Sequence, residues 1–317
     1  MRYSISRTLA RSLAMTTLLT GAALAEVPHV VTDIAPVHSL VTQVMGDLGR
    51  PDLLLDRGAD PHSFQLRPRQ AAGLADADLV VWIGPELTPW LDRALTGLAG
   101  KARVLTLLAQ PETYRQDFGT KGGHDHMQED DHGAEAGHDE HAHAGTDPHA
   151  WLDPGNAGIW LGLIAADLAR LDPENAATYA ANAKAAQAGI TALDAEVANL
   201  LTPVKDMPFV VGHDAYGYFS GHFALAVTGS IALGDAAAPG AARLVALQKE
   251  LKTGQALCVF PEINHDPKLA ARIIEGTAAR LGGALDPAGT ALEPGAELYG
   301  ELLRGLAHKL TACLAGG

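Results

Sequence analysis

The chain has 317 residues, a hydrophobic content of 47% and a formal charge of −14 at pH 7. That length is long for one core and fits two domains, and so acidic a protein repels phosphate backbones, which excludes nucleic acid as a partner. After the N-terminus no run of about 20 apolar residues occurs, so no later membrane-spanning helix is expected.

The N-terminus carries Arg2, Arg7 and Arg11, an apolar stretch from Leu13 to Leu24, and Ala23-Leu24-Ala25 before Glu26. This is the pattern of a secretory signal with an A-x-A cleavage site, here residues 1–25. The apolar run is too short and too rich in Thr to serve as an anchor. Glu26, not Cys, would begin the mature chain, so it offers no lipid attachment point. The expected location is the periplasm.

A first lobe, residues 26–173, alternates strand and helix. His29–Ile34 reads as a strand and Val37–Leu48 as a helix. Asp52–Leu55, Ala77–Ile83 and Arg103–Leu107 read as further strands, with helices at Pro68–Ala77 and around Leu87–Leu98. Such alternation implies a mainly parallel sheet covered on both faces.

A polar segment, residues 117–147, interrupts the lobe. It carries nine acids and one lysine, about half of the excess charge. Between Gly123 and His143 lie His124, His126, His132, His138, His141 and His143 on Gly-, Ala- and acid-rich chain with no apolar periodicity. The segment is too polar to fold and is expected to be a mobile, accessory metal-collecting loop.

Ordered structure resumes at TDPHAWLDP, residues 146–154. Asn156–Leu171 reads as a helix. Residues 174–202 follow as a long helix with Ala, Leu and Val at helical spacing, expected to be a rigid strut between lobes. The second lobe, residues 203–317, repeats the alternation. Strands are expected at Pro208–Val211, Phe223–Val227, Ala256–Phe260 and Ala284–Asp286, and helices at Tyr216–His222, Ala241–Lys252, Lys268–Leu281 and Glu297–Leu314. The fold class is therefore α/β, two Rossmann-like lobes with mainly parallel sheets joined by one long helix.

Cys258 and Cys313 are the only cysteines. Export permits a disulfide, which would tie down the tail and contribute ~2–4 kcal/mol. The rival role, thiolate metal ligands, lacks a close Cys or His partner spacing.

Three histidines outside the loop sit where strands end or helices begin: His62 in GADPHSFQLRP, His149 in DPHAWLDP and His213 in VVGHDAYGYF. Asp286, in LDPAGT, ends the last short strand. Ligand groups gather at the carboxyl ends of strands in open parallel sheets, so these four would meet in a cleft between lobes. A histidine beside a strand is more often a capping or surface residue; His29, His38, His222, His265 and His308 are assigned such roles.

Together GADPHSFQLRP, DPHAWLDP, GHDAYGYF, PGAARL, CVFPE and LDPAGT resemble the metal-binding family of ABC-transporter solute-binding proteins, over nearly all of the mature chain. Its zinc-uptake branch, the ZnuA type, also carries a His/Asp-rich loop before the DPHxW-like motif and paired cysteines. The resemblance implies two lobes joined by a long helix, one metal in the cleft, a membrane permease of an ABC transporter as partner, and a monomer that is not an enzyme. It carries His62, His149 and His213 over as ligands, with Asp286 as the aspartate of the LDP motif. Some zinc-type relatives have Glu directly before the first histidine, where this chain has Pro61. The fourth donor is then Asp286, a water or Asp60. Three imidazoles and a carboxylate suit Zn2+ better than manganese. The alternatives are another transition metal, an adhesin of the same family, or a secreted zinc hydrolase with Glu262 as general base. The hydrolase would need a motif such as HExxH, which is absent.

Overall fold

The computed structural model describes residues 26–62, 64–119, 145–232 and 239–316. The expected signal segment, and the loop histidines His124, His126, His132, His138, His141 and His143, lie outside the described residues.

In the first lobe, β1 (Val30–Thr32), α1 (Ala35–Met45), β2 (Asp52–Leu53), α2 (Pro68–Asp76), β3 (Leu79–Trp82), α3 (Pro89–Leu98) and β4 (Arg103–Thr106) follow in order. Proline stands in the first helical turn of α1, α2 and α3, where its missing N–H costs nothing and its fixed φ suits the helix. The sheet is parallel throughout, in the order β2-β1-β3-β4. Its central strands are buried on both faces. Val30, Leu79 and Val81 point inward to the main core, while Val31, Val80 and Trp82 pack outward under α2 and α3 with Leu74 and Leu91, as a period of two requires.

Next come α4 (Pro154–Leu171) and α5 (Ala176–Leu201). Asp153 caps α4 by accepting the Gly155 amide at 2.7 Å, satisfying one orphan donor of its first turn. At ~1.5 Å per residue α5 runs ~39 Å. Its buried residues Tyr179, Ala183, Ile190, Leu193, Val197 and Leu201 form one stripe against α4 and α1.

The second lobe contains β5 (Phe209–His213), α6 (Gly217–His222), β6 (Val227–Ala232), α7 (Ala241–Lys252), β7 (Cys258–Val259), α8 (Lys268–Ile274), β8 (Arg280–Leu281) and α9 (Leu298–Leu314). Its sheet is also parallel, in the order β6-β5-β7-β8, so the two lobes share one topology. Phe209, Val211, Cys258 and Phe260 face the main core, and Val210 and Val259 face a separate cluster under α7 and α8. The inner faces of both sheets, α1, α4, α5 and α9 enclose one continuous apolar core.

Three expected elements are displaced. Phe223 closes α6, its ring 4.9 Å from Phe219; Ala224 then turns the chain at φ 53, so β6 begins only at Val227. Helix α8 stops at Ile274, because Gly276 at φ 71 reverses the chain and Thr277 Oγ1 donates to the Ile274 carbonyl. The residues beyond pair with β7 as β8. The strand expected at Ala284–Asp286 reduces to one bridge between Leu285 and Glu262.

Side chains also tie the lobes together. Ser39 Oγ donates to the Ala296 carbonyl at 2.8 Å, Trp151 Nε1 to the Pro287 carbonyl at 2.8 Å, and Tyr299 OH to the Trp151 carbonyl at 2.8 Å. The disulfide Cys258–Cys313, with Cα atoms 6.4 Å apart, fixes the end of α9 to β7 and removes both sulfurs from the list of metal ligands. Among the described residues no helix is long and apolar enough to cross a membrane.

Candidate metal centre

A cavity of about 130 Å³ opens between the lobes, with His62 and His149 on one side and His213, Glu262, His265 and Asp286 on the other. His213 ends β5 and Glu262 follows β7, at the carboxyl ends of parallel strands where crossovers leave a crevice, while His62 and His149 come from loops.

His149 lies between the described ends of the polar segment and α4. Asp147, two residues earlier, accepts the His149 backbone amide at 3.0 Å and lies 2.7 Å from its Nδ1. In a neutral ring this contact favours the proton on Nδ1, which turns Nε2 into the metal-binding nitrogen. Asp147 is itself held: Gln116 Nε2 donates to Oδ2 at 3.2 Å, and Tyr218 OH donates to its carbonyl at 3.0 Å. A Cβ on Gly217 would stand 3.0 Å from Asp147 Oδ2 and overlap Gln116. Only glycine lets α6 come this close.

His213 is the last residue of β5 and is 8% exposed. Its Nδ1 lies 2.6 and 2.7 Å from the two oxygens of Glu262, of which Oε1 also accepts Tyr216 OH at 2.9 Å. Burial pushes the Glu262 carboxyl up, but the charge of His213 and the hydrogen bonds from His213, His265 and Tyr216 outweigh it and hold the group at about 2. Glu262 is thus an anion at neutral pH. It orients His213 as Asp147 orients His149, the carboxylate–imidazole arrangement that fixes the tautomer of metal ligands. With both oxygens engaged and 5% exposure, Glu262 is poorly placed as a general base.

His62 sits in the loop after β2. That loop is pinned by Trp90 Nε1, which donates to the Pro61 carbonyl at 2.8 Å, and by the His62 amide, which donates to Asp60 Oδ1 at 2.9 Å. The ring of His149 lies 5.4 Å from that of His213 and 6.2 Å from that of His62. Imidazoles bound tetrahedrally at Zn–N ~2.0–2.1 Å would have centroids roughly 5 Å apart. Among the described residues no group of three or more His, Cys, Asp or Glu is placed to hold a metal ion as it stands.

Asp286 follows the Leu285 bridge and faces the cavity. Its oxygens accept from Thr290 N, Thr290 Oγ1 and Ala291 N. His265, assigned a surface role from sequence, instead lines the cavity. Its ring lies 6.3 Å from that of His213, and its Nδ1 is 3.4 Å from Glu262 Oε2. The bond to Glu262 raises its pKa above the usual imidazole value. The other histidines outside the loop are elsewhere. His29 pairs with Asp52, and His38 Nε2 lies 3.2 Å from the Pro51 carbonyl. His222 lies between Asp153 and Asp194, and His308 is exposed on α9.

Sequence reasoning missed Asp147 and His265, and offered Glu262 only for catalysis. The available signals were the DPH spacing, which puts a carboxylate two residues before the imidazole, and the DAYGYF run. That run supplies Tyr216 to Glu262, Tyr218 to Asp147, and Gly217 to the gap between them.

The family model described as zinc-uptake complex component A, periplasmic, matches residues 30–313. A high-affinity zinc uptake system protein, ZnuA, from Paracoccus denitrificans is 53% identical over 96% of this chain and 98% of its own. Among solved structures, a mutant of the laminin-binding adhesin of Streptococcus agalactiae is 27% identical, with a TM-score of 0.72 over 90% of this chain and 99% of its own. A crystal structure of ZnuA is 24% identical and superposes with a TM-score of 0.71 over 90% of this chain and 99% of its own, a likeness of fold. The chain belongs to the ZnuA family of periplasmic zinc-uptake components.

Proposed function

We propose that the chain captures Zn2+ in the cleft between its lobes and delivers it to the membrane permease of an ABC-type uptake system. The observation that carries this reading is the pair of carboxylate-oriented imidazoles, Asp147–His149 and Glu262–His213, converging from opposite lobes beside His62. His62, His149 and His213 hold the ion, and the fourth donor comes from the cleft wall, where Asp286, Asp60 and His265 stand. Nitrogen-rich coordination favours zinc and its late-transition neighbours over manganese, which prefers oxygen. The working form is a periplasmic monomer, divided at residues 173 and 203 by the connecting helix. It acts by binding and release.

The histidine-rich segment serves as an accessory collector. Its roots support this: Asp117 bridges Thr146, and Phe118 packs with its ring 6.4 Å from that of His149. The acidic sequence attracts cations, and its roots stand beside His149.

Competition against a zinc chelator, with metal content measured on protein purified without added metal or affinity tag, tests the reading. One tight equivalent is expected, lost in His149→Ala and in His213→Ala. Both variants binding as tightly as the parent chain would overturn it.

A further inference from the structure

The groups able to complete the shell around the three imidazoles differ in what already occupies them. Asp60 Oδ1 accepts the His62 amide and shapes the loop that presents His62. Asp286 is more heavily engaged: Oδ1 accepts Thr290 N at 2.9 Å and Thr290 Oγ1 at 3.2 Å, and Oδ2 accepts Ala291 N at 2.9 Å. A carboxylate has about four lone-pair positions, so three of them hold the turn that follows. Position 61, directly before His62, is a proline with no donor atom.

His265 has a different environment. Its side chain is 63% exposed at the lip of the cavity. Its ring stands 6.3 Å from His213, nearly the 6.2 Å that separates His62 from His149. Its Nδ1 faces Glu262 Oε2, on the carboxylate whose Oε1 lies 2.6 Å from His213 Nδ1. One buried anion therefore stands behind two imidazoles. In each the nitrogen turned from that anion is Nε2, the one that coordinates when Nδ1 bonds a carboxylate.

We propose that His265 Nε2 is the fourth zinc ligand, so that the cleft holds its ion with four imidazoles and Glu262 orients two of them. This rests on the reading of the cleft as the zinc site. The consequence is selectivity: a shell without a directly bound carboxylate discriminates more strongly against Mn2+ and Mg2+, which favour oxygen, than three imidazoles and an aspartate would. As the most exposed of the four, His265 is also the ligand a permease could reach first.

The test uses the full mature chain, loaded with less than one equivalent of zinc from a chelator buffer so that only the tightest site fills. Zinc-edge X-ray absorption should count four imidazoles in the parent chain and three in His265→Ala, with affinity falling by more than the roughly 10–100-fold expected for a group that only orients a ligand. Asp286→Asn should retain four imidazoles and stay within about threefold in affinity. Thermal melting of the metal-free variants confirms that both fold. His265→Ala with an unchanged imidazole count overturns the inference, whatever its affinity, because His265 would then act only through Glu262. A parent chain that counts three imidazoles and one oxygen donor, with that oxygen changed in Asp286→Asn, would do the same. A parent chain that takes up no tight equivalent would instead overturn the cleft reading, and this inference with it.

Discussion

The two lobes place different chemistry at the same point of one topology. In the first, β1 leads into Asp33, which is fully buried, with Oδ1 accepting Ile34 N at 2.8 Å and Oδ2 accepting Ile83 N, just after β3, at 2.9 Å. In the second, β5 ends in His213, whose Nδ1 meets Glu262, just after β7. Both side chains link the first strand of a lobe to the third. Asp33 spends both oxygens on neighbouring backbone amides and closes the strand ends. His213 meets a side chain, Glu262, through Nδ1, and the residue lines the cleft. The topology supplies the place; the reach and two-sidedness of the side chain decide whether that place is a seal or a binding position.

Replacing the two residues should separate these roles. His213→Gln is expected to weaken zinc binding by on the order of 1000-fold or more, since a directly bonded nitrogen is worth more than the groups that orient it. Asp33→Asn should leave affinity within about threefold, because the residue takes no part in the shell. Chelator competition reads both, and an Asp33 variant as defective as the His213 variant would abolish the distinction.

Glu262→Gln is expected to cost roughly 10–100-fold in affinity, the usual effect of removing a carboxylate behind a metal-bound histidine. Tyr216→Phe should cost less, as it removes one hydrogen bond to that carboxylate. A Glu262 variant equal to the parent chain would show that His213 needs no orienting partner.

The seal has its own signature in the pH dependence of stability. Burial raises the Asp33 carboxyl from 3.8 to about 7, against the opposing backbone hydrogen bonds. Between these limits the folded protein holds a proton that the unfolded chain has released, so this group's stabilisation is full at low pH and is lost as pH rises toward 7, at most about 1.4 kcal/mol per pH unit. Denaturant titrations of the metal-free protein at several pH values should show the parent chain losing stability relative to Asp33→Asn across this range. Parallel curves would mean that Asp33 is ionised when folded. Zinc binding has the opposite slope, weakening toward pH ~5–6 as imidazoles protonate.

The smallest effect is expected from deleting residues 120–144. Weak binding equivalents should disappear, while the tight site stays within about twofold, since the three proposed histidine ligands lie outside the deleted residues. Titration calorimetry separates the two classes. Loss of the tight equivalent would move the principal ligands into the segment.

Much of this arrangement was legible in the sequence. The apolar runs at Leu79–Trp82 and Phe209–Val211 read as strands because sheets buried on both faces need continuous hydrophobic residues. β6 did not read so, since Val-Thr-Gly-Ser-Ile-Ala has weak strand character and owes its place to pairing with β5. The apolar Phe223–Val227 drew the expectation instead. The early stop of α8 had one signal, Gly276, which a pattern without proline understates. At the site, His62, His149 and His213 stood out through their motifs. The Glu262–His213 contact joins residues 49 positions apart, and His265 reaches the cleft only because β7 lies beside β5. Pairing of strands distant in sequence is not written in either residue's neighbours.

The bridge between Asp117 and Thr146 makes the cleft indifferent to what lies between them. Phe118 N donates to the Gly145 carbonyl and Asp147 N to the Gln116 carbonyl, so the ends of the insertion are joined before they reach His149. Beyond such a clamp, closure entropy grows slowly with insert length, by about 0.6 kcal/mol per doubling. Histidine number and insert length can therefore be changed with little effect on the residues that line the cleft. The same position would accept an inserted fluorescent protein, giving a zinc reporter whose sensing cleft stays that of the parent chain.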